Sequence, residues 1–212
     1  HLLSRRQRQM CIRDSIMDNL IAEGKCVPMI VVMPNGNFGK QAAAGETAEN
    51  LAFRPVSTHL LPHYKDGLFE LAFPEIVNYV DATFNTIPDK AHRAIAGLSM
   101  GGMHTLMITA NYPEMFNYIG LYSAGVDFSH LNMEEVPAYA NLDAKLTKLA
   151  QGNPKLYWIA CGNEDWLLPA NKRLMERMDK DGLKYTFHES PRGHLWSNWR
   201  QYSLLFIPQL FK

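Results

Sequence analysis

The chain has 212 residues, of which 47% are hydrophobic and 20% are charged. This length and apolar fraction suit one domain with a sizeable core and exclude an intrinsically disordered chain. Basic and acidic residues number 21 each, so no net charge directs the protein to nucleic acid or to an acidic membrane surface. No uninterrupted apolar run reaches the ~18 residues that a membrane-spanning helix requires. We therefore expect neither nucleic acid nor a membrane among its partners.

The cysteines and a pair of histidines give no indication of a metal site. Cys11, Cys26 and Cys161 are odd in number and lack the spacing of metal ligands or of a disulfide scaffold. His59 and His63 are four residues apart, as zinc ligands on a helix can be, but a proline lies between them. We predict that the protein needs no metal and no cofactor.

Residues 1–15, HLLSRRQRQMCIRDS, differ in character from the rest of the chain. They are basic, contain neither glycine nor proline, and show neither helical nor strand periodicity. The hexapeptide MCIRDS is also the translation, in one reading frame, of a transposon adapter used in sequencing libraries. We therefore interpret residues 1–15 as a non-native fusion segment and assign the domain to residues 16–212. A genomic contig that encodes these fifteen residues would contradict this interpretation.

The region from residue 16 to residue 66 contains a helix end, a strand and a long connection. Apolar residues at 16, 17, 20 and 21, followed by a glycine at 24, predict the tail of an amphipathic helix. The run VPMIVVMPNG, residues 27–36, is apolar, β-branched in its middle and closed by Pro-Asn-Gly, which predicts a buried parallel strand. Residues 37–66 lack sustained periodicity, and connections of that length usually cover or line a site.

Strands and helices alternate through the remainder of the chain. The apolar spacing predicts a helix over 68–86 that is kinked or restarted at Pro74, and residues 131–153 form a polar, partly helical excursion. The alternation predicts an α/β fold with a mostly parallel sheet and helices on both faces. The predicted strands are 92–99, 118–125, 155–165 and 184–190, and the remaining predicted helices are 100–112, 167–182 and 197–211.

The pentapeptide Gly97-Leu98-Ser99-Met100-Gly101 matches G-x-S-x-G and stands between a predicted strand and a predicted helix. In that context the serine occupies a sharp turn, and glycines two residues away on either side avoid collisions with the backbone. The following helix directs its free amides and its positive dipole end at a reacting carbonyl oxygen. We identify Ser99 as the candidate nucleophile, against the alternative of a glycine-rich turn without chemistry.

A serine hydroxyl needs a base to accept its proton, and the histidines after the motif are the candidates. His194 follows a glycine in the loop between the last predicted strand and the last helix, where a base can reach the strand ends. His104 lies on the helix of the nucleophile, His188 inside a predicted strand and His130 in the polar excursion. We predict His194 as the base, against the alternative of a histidine that only caps or packs its loop.

The base in turn needs an acid to orient it, and the order of an α/β-hydrolase places that acid between the serine and the histidine. Asp165 comes right after the buried apolar run that forms most of the predicted strand 155–165, at the same sheet edge as Ser99. Glu164 and Asp127 are the rival carboxylates. We predict Asp165 as the acid, against the alternative that it only caps the helix that follows.

Three tryptophans flank the predicted acid and base. Trp199 lies on a helix face and is expected in the core. Trp166 and Trp196 either pack the loops or line a pocket for a flat aromatic or sugar group. We retain both as candidate substrate-binding residues.

The blocks RAIAGLSMGGMHTL, FNYIGLYSAGVD, LYWIACGNEDWL and GHLWSNWR together resemble carbohydrate esterase family one. This family contains bacterial feruloyl esterases and acetyl xylan esterases and is related to the esterase-D and enterochelin-esterase-like hydrolases. The resemblance extends from about residue 16 to residue 211 and implies an α/β-hydrolase fold. It also implies that Ser99 is the nucleophile, with Asp165 as its acid and His194 as its base.

The resemblance further implies a substrate and a location. It points to feruloyl or acetyl esters on plant cell-wall xylan, either as small molecules or on the polysaccharide, and to a secreted or periplasmic bacterial protein. The sequence does not indicate an oligomeric state. The alternatives are an esterase-D-like thioester hydrolase or acyltransferase, which would use the same three residues, and a non-catalytic carbohydrate-binding relative.

The chain departs from the family pattern in one respect. Members carry an HG-type loop after an early strand, and a backbone amide of that loop supplies half of the oxyanion hole. Residues 1–30 contain no such motif. We therefore expect the first strands of the sheet and one oxyanion donor to be missing, which leaves the backbone N–H of Met100 as the donor present.

Overall fold

The structure, a computed structural model, describes residues 15–34, 66–129 and 133–212. Short 3₁₀ turns lie at Lys90–His92, Met133–Glu135 and Ile207–Gln209. The helices are α1 (15–22), α2 (Leu68–Thr83), α3 (Met100–Asn111), α4 (Leu142–Gln151), α5 (Leu168–Lys180) and α6 (Trp196–Phe206). The strands are β1 (Ala94–Leu98), β2 (Tyr118–Tyr122), β3 (Leu156–Gly162) and β4 (Thr186–Ser190).

The described strands form one parallel sheet in the order β1-β2-β3-β4. Their carboxyl ends are in register, since Tyr122 pairs with both Leu98 and Ala160. The predicted nucleophile follows β1 directly, the predicted acid comes three residues after β3, and the predicted base comes four residues after β4. All three therefore reach the edge of the sheet where ligands bind in open α/β folds.

The two central strands are buried on both faces of the sheet. Every residue of β2 is buried, and so is every residue of β3 after Leu156. Alternate side chains enter two separate apolar clusters, because successive residues of a strand point to opposite faces. Ile119 and Ile159 join residues of α2 to α5 on one face, whereas Tyr122 and Trp158 join residues of α6 on the other. This arrangement confirms the predicted α/β fold with helices on both faces of a parallel sheet.

The prediction of a strand over residues 27–36 is wrong for the part that the structure describes. Residues 27–34 form no strand. A β-branched run becomes a strand only where a neighbour accepts its hydrogen bonds, and among the described residues β1 to β4 pair with one another alone. Five large apolar side chains of this segment are exposed, namely Val27, Ile30, Val31, Val32 and Met33.

Two further expectations concern helices. α2 continues through Pro74 from Leu68 to Thr83, so the helix does not restart at the proline. The polar excursion is partly helical, as predicted, and contains α4. None of the helices described is both long enough and apolar enough to cross a membrane. The connection predicted over residues 37–66 lies outside the described residues as far as residue 65, and so do residues 130–132.

Candidate active site

Ser99 lies in a strained backbone turn between β1 and α3. Its φ and ψ are 54° and −116°, outside the regions that residues with a side chain ordinarily occupy. The Ser99 N–H donates to the carbonyl oxygen of Tyr122 at 2.9 Å, and the Ser99 carbonyl oxygen accepts from the N–H of Gly125 at 2.7 Å. The same oxygen accepts from the N–H groups of Gly102 and Met103 at 3.0 and 3.2 Å. These four bonds hold the turn in its unusual conformation.

The glycines of the motif have different steric roles. A Cβ added at Gly97 would lie 2.0 Å from the carbonyl oxygen of Gly101, so any larger residue there collides with the backbone. A Cβ added at Gly101 would meet no heavy atom within 4 Å apart from its own helix. The expectation that both flanking glycines avoid a collision is therefore right for Gly97 and wrong for Gly101. Gly102, directly after the motif, also has no room for a side chain, because its added Cβ would lie 2.7 Å from the Cβ of Ala124.

Hydrogen bonds join the side chains of Ser99, His194 and Asp165 in a chain. The Ser99 Oγ is 3.0 Å from the Nε2 of His194. The Nδ1 of His194 is 3.0 Å from the Oδ2 of Asp165 and 3.2 Å from its Oδ1. A carboxylate only accepts, so the Nδ1 carries the proton and the Nε2 presents its lone pair to the serine hydroxyl. The structure thus brings together the three residues that the sequence analysis selected.

Asp165 is fixed by the turn that connects β3 to α5. Its carboxylate is fully buried, whereas the side chain of His194 is 21% exposed. The N–H of Leu167 donates to the Oδ1 of Asp165 at 3.0 Å, and the N–H of Asp165 donates to the carbonyl oxygen of Gly162 at 3.1 Å. The buried thiol of Cys161 lies beside the carboxylate. Burial and then the negative charge of Asp165 raise the pKa of this thiol to about 12, so the thiol stays protonated at neutral pH.

The loop that carries His194 is bound to the loop that carries Asp165. The N–H of Glu164 donates to the carbonyl oxygen of Arg192 at 3.1 Å, and Arg192 has a left-handed φ of 71°. Asn198, on the first turn of α6, donates from its Nδ2 to the carbonyl oxygens of Pro191 and Gly193 at 3.0 and 3.1 Å. These contacts set the distance between acid and base. The sequence analysis did not select Asn198. An amide side chain four residues after the predicted base was the signal that could have pointed to it.

The three tryptophans have different positions around His194. Trp199 is buried, as predicted, and its ring meets the His194 ring edge to face at 4.8 Å. The Trp166 ring is tilted against His194 at 5.5 Å and is 70% exposed, so its free face borders the site. Trp196 is half-buried and packs edge to face on Trp199 at 4.8 Å. Trp166 therefore has the better position for contact with a substrate.

The backbone N–H of Met100 is the first amide of α3, where a helix offers no internal acceptor. Two other amides beside the turn, those of Gly102 and Gly125, already donate to the Ser99 carbonyl oxygen. The Met100 N–H and the positive end of the helix dipole are thus available for an anion near the Ser99 Oγ. The expected absence of a second oxyanion donor stays a prediction.

A family model described as "Putative esterase" matches residues 6–204. The chain belongs to the esterase family.

Two relatives of this esterase-family chain have assigned activities. The endo-1,4-beta-xylanase/feruloyl esterase of Xylanibacter ruminicola is 41% identical over 110 residues, which are 52% of this chain and 13% of that protein. The acetyl esterase of Caldicellulosiruptor saccharolyticus is 27% identical over 157 residues, which are 60% of this chain and 58% of that protein. The chain thus spans less than two thirds of the length of these relatives.

A solved structure gives the fold of the family. The ferulic acid esterase of the anaerobic fungus Anaeromyces mucronatus superposes with a TM-score of 0.64 at 21% identity, over 91% of this chain and 68% of that one. The esterase-family chain therefore has the α/β-hydrolase fold. This confirms the resemblance that the four sequence blocks indicate.

The rival residues lie elsewhere in the esterase fold. His104 is buried and its Nδ1 is 2.7 Å from the Oε1 of Glu70, while His188 stacks on Trp158 in the sheet. Glu164 and Asp127 are both exposed. His59, His63 and His130 lie outside the described residues. Within the described residues, no three histidine, cysteine, aspartate or glutamate side chains cluster as a metal site requires.

Proposed function

We propose that this chain is a serine carboxylic-ester hydrolase that acts on feruloyl or acetyl esters of plant cell-wall xylan. The observation that carries the proposal is the unbroken chain of hydrogen bonds from the Ser99 Oγ through His194 to the buried Asp165. Membership of the esterase family supports the reaction type. The 41% identity to a xylanase/feruloyl esterase supports the substrate class.

The first half of the reaction transfers the acyl group to the enzyme. The Ser99 Oγ attacks the ester carbonyl carbon while the Nε2 of His194 takes the hydroxyl proton. Asp165 stabilises the imidazolium, and the Met100 N–H donates to the oxyanion of the tetrahedral intermediate. The C–O bond to the sugar then breaks. The Nε2 of His194 returns its proton to the departing alcohol, which leaves an ester between Ser99 and the acyl group.

The second half releases the acid. Water replaces the alcohol beside His194, and the Nε2 takes one of its protons as the oxygen attacks the acyl carbon. A second tetrahedral intermediate forms against the same amide. It collapses with departure of the Ser99 oxygen, which recovers its proton from His194. The partly exposed ring of His194 gives water access, while the buried Asp165 holds the ring in place.

The surroundings of His194 favour an aromatic acyl group. The exposed face of Trp166 is adjacent to the His194 ring and offers a flat surface that a feruloyl ring can stack on. An acetyl group is too small to use such a surface. We therefore propose that the enzyme prefers the feruloyl ester to the acetyl ester. In this proposal Trp166 contacts the feruloyl ring, and Trp196 supports the site by packing on Trp199.

The test compares three substrates and one covalent probe. Methyl ferulate, acetylated xylan and an acyl thioester are assayed side by side with the full chain and with Ser99→Ala, which removes the attacking oxygen. We expect hydrolysis of methyl ferulate above the other two and loss of all activity in the variant. A fluorophosphonate that labels the full chain but not Ser99→Ala would exclude the non-catalytic relative. Equal, weak rates on all three substrates would overturn the feruloyl assignment, and a dominant rate on the thioester would favour the esterase-D-like alternative.

A further inference from the structure

Behind the base lies a layer of buried residues that the reaction does not touch. Trp199 is 7% exposed and stands five residues after His194. The two ring planes are almost perpendicular, at 85°, with their centroids 4.8 Å apart. An edge-to-face pair of this kind has a preferred orientation, so the tryptophan limits the rotation of the imidazole about its side-chain bonds. The imidazole must keep that orientation if its two nitrogens are to meet two different partners.

The tryptophan itself is anchored to the sheet. Its indole Nε1–H donates to the Oγ of Ser123 at 3.2 Å. Ser123 is fully buried at the carboxyl end of β2 and has a left-handed φ of 44°. Its N–H donates to the carbonyl oxygen of Ala160 in β3 at 2.7 Å, so the backbone of Ser123 is fixed between two strands. The acceptor for the indole is therefore held between the two buried central strands.

Ser123 also lies close to the acid. The buried Cys161 thiol, on β3, is near both Ser123 and Asp165, since both side chains influence its pKa. Described contacts run from His194 through Trp199 to Ser123 at the end of β2, and Asp165, which follows β3, bonds to His194 directly. The two neighbouring central strands thus support the base from both sides.

We propose that Trp199 and Ser123 form a positioning pair that fixes the plane of the His194 ring, so that its Nε2 faces Ser99 while its Nδ1 faces Asp165. The proposal rests on the proposed serine esterase chemistry for its effect on rate. It concerns positioning residues, since neither side chain touches the reacting atoms. If the ring turns, the Ser99–His194 bond lengthens, and misplacement by about 1 Å lowers reaction rates by roughly 100-fold.

Two substitutions test the pair from opposite ends. Ser123→Ala removes the acceptor and keeps the backbone conformation, while Trp199→Phe keeps an aromatic ring beside His194 and removes the N–H. The matched control is Trp158→Phe, because Trp158 packs in the same apolar cluster and has no ring contact with His194 among those described. Should Trp199→Phe fail to fold, Ser123→Ala carries the test alone, as it deletes a single oxygen atom.

Two measurements separate positioning from general loosening. The first is the rate at which a fluorophosphonate labels Ser99. The second is the proton NMR signal of the imidazole Nδ1–H, which a carboxylate partner shifts far downfield. His104 supplies an internal reference, since its Nδ1 bonds to the buried Glu70 in the same molecule. Loss of one of the two downfield signals in Asp165→Asn assigns that signal to His194.

We expect Ser123→Ala and Trp199→Phe to slow labelling by about 10- to 100-fold and to broaden or shift the His194 signal, with the His104 signal unchanged. The control keeps both the labelling rate and the His194 signal. Wild-type labelling rates and an unchanged His194 signal in both variants would overturn the proposal, as would equal disturbance of the two histidine signals. If the wild-type chain does not label at all, the proposed function fails, and the NMR comparison still decides the positioning.

Discussion

Gly162 and Arg192 approach each other so closely that no side chain fits between them. A Cβ added at Gly162, the last residue of β3, would lie 2.0 Å from the carbonyl oxygen of Arg192. Gly162 precedes the predicted acid by three residues, and Arg192 precedes the predicted base by two. This contact is where the two loops of the site meet, and its spacing determines the distance between Asp165 and His194.

Gly162→Ala is therefore expected to disturb both stability and reactivity. The added methyl group must displace backbone rather than a flexible side chain, and overpacking of this kind costs roughly 1–3 kcal/mol of unfolding free energy. Separation of the two loops should slow fluorophosphonate labelling by about 100-fold. Urea unfolding and labelling kinetics measure the two effects. Gly101→Ala is the stability control, since a Cβ there meets open space. A Gly162→Ala variant as stable and as reactive as the wild type would contradict the close approach.

The buried Glu70–His104 pair is expected to support the fold and not the reaction. The Oε1 of Glu70 accepts from His104 at 2.7 Å and from the hydroxyl of Tyr139 at 3.2 Å. Glu70→Ala leaves the Nδ1–H of His104 buried without the acceptor it has in the wild type, and an unsatisfied buried donor costs about 1–3 kcal/mol of unfolding free energy. Labelling of Ser99 in the folded fraction should stay within about twofold of the wild type.

The His92–Asp89 pair provides the comparison, because it has the same 2.7 Å separation on the exposed surface. Asp89→Asn removes the charge and keeps the side-chain oxygen that accepts from the His92 N–H, so it should leave stability nearly unchanged, since an exposed ion pair contributes little. Both variants are followed by thermal or urea unfolding. A large loss of Ser99 labelling in fully folded Glu70→Ala would instead give His104 a part in catalysis.

Trp166 is expected to discriminate between acyl groups. Its ring is 70% exposed beside His194, and aromatic contacts contribute about 0.5–1.5 kcal/mol, or up to roughly tenfold in kcat/KM. Trp166→Ala should lower kcat/KM on methyl ferulate by about that factor and leave an acetyl ester almost unaffected. Trp196→Ala acts through Trp199 and should lower both rates alike. Equal losses on the two substrates in Trp166→Ala would remove the aromatic-stacking role.

The Cys161 thiol is expected to make the fold sensitive to alkali. Burial first, and then the Asp165 charge, raise its pKa from 9.0 to about 12 in the folded chain. Between those values the unfolded chain releases the thiol proton and the folded chain retains it, so the free energy of unfolding falls as pH rises. Burial raises the pKa of Tyr202 as well, so both groups contribute to the fall in unfolding free energy as the pH rises.

Cys161→Ser isolates the thiol, because a serine hydroxyl does not ionise in this range. The free energy of unfolding of both chains is measured in urea from neutral pH up to about pH 11. The variant should lose less stability above pH 9 than the wild type. Parallel stability curves would show that the thiol does not contribute to the alkaline loss.

The strands and the catalytic candidates were predictable because their signals are local. The central strands are continuous apolar runs between turn residues, and parallel strands bring their carboxyl ends to one edge. That rule places the residues after β1, β3 and β4 side by side without any knowledge of distances. Ser99, Asp165 and His194 could be selected from it.

Contacts between distant segments were not predictable in the same way. The steric need for Gly162 arises from Arg192, thirty residues later in the sequence, and that for Gly102 from Ala124. Neither partner has a recognisable sequence signal. The apolar run at 27–34 is the reverse case. Its composition indicates a strand, but no strand among the described residues pairs with it. Local composition determines what a segment favours, and the neighbouring segments determine whether that preference is realised.

The left-handed turn at Ser99 links reactivity to thermostability. A residue with a side chain at such dihedral angles costs the fold about 1–3 kcal/mol, and glycine would relieve much of that strain. Selection of variants by heat resistance alone would thus tend to replace Ser99 with glycine and discard the nucleophile. Laboratory evolution of this chain for industrial temperatures has to screen each round for turnover as well as for survival.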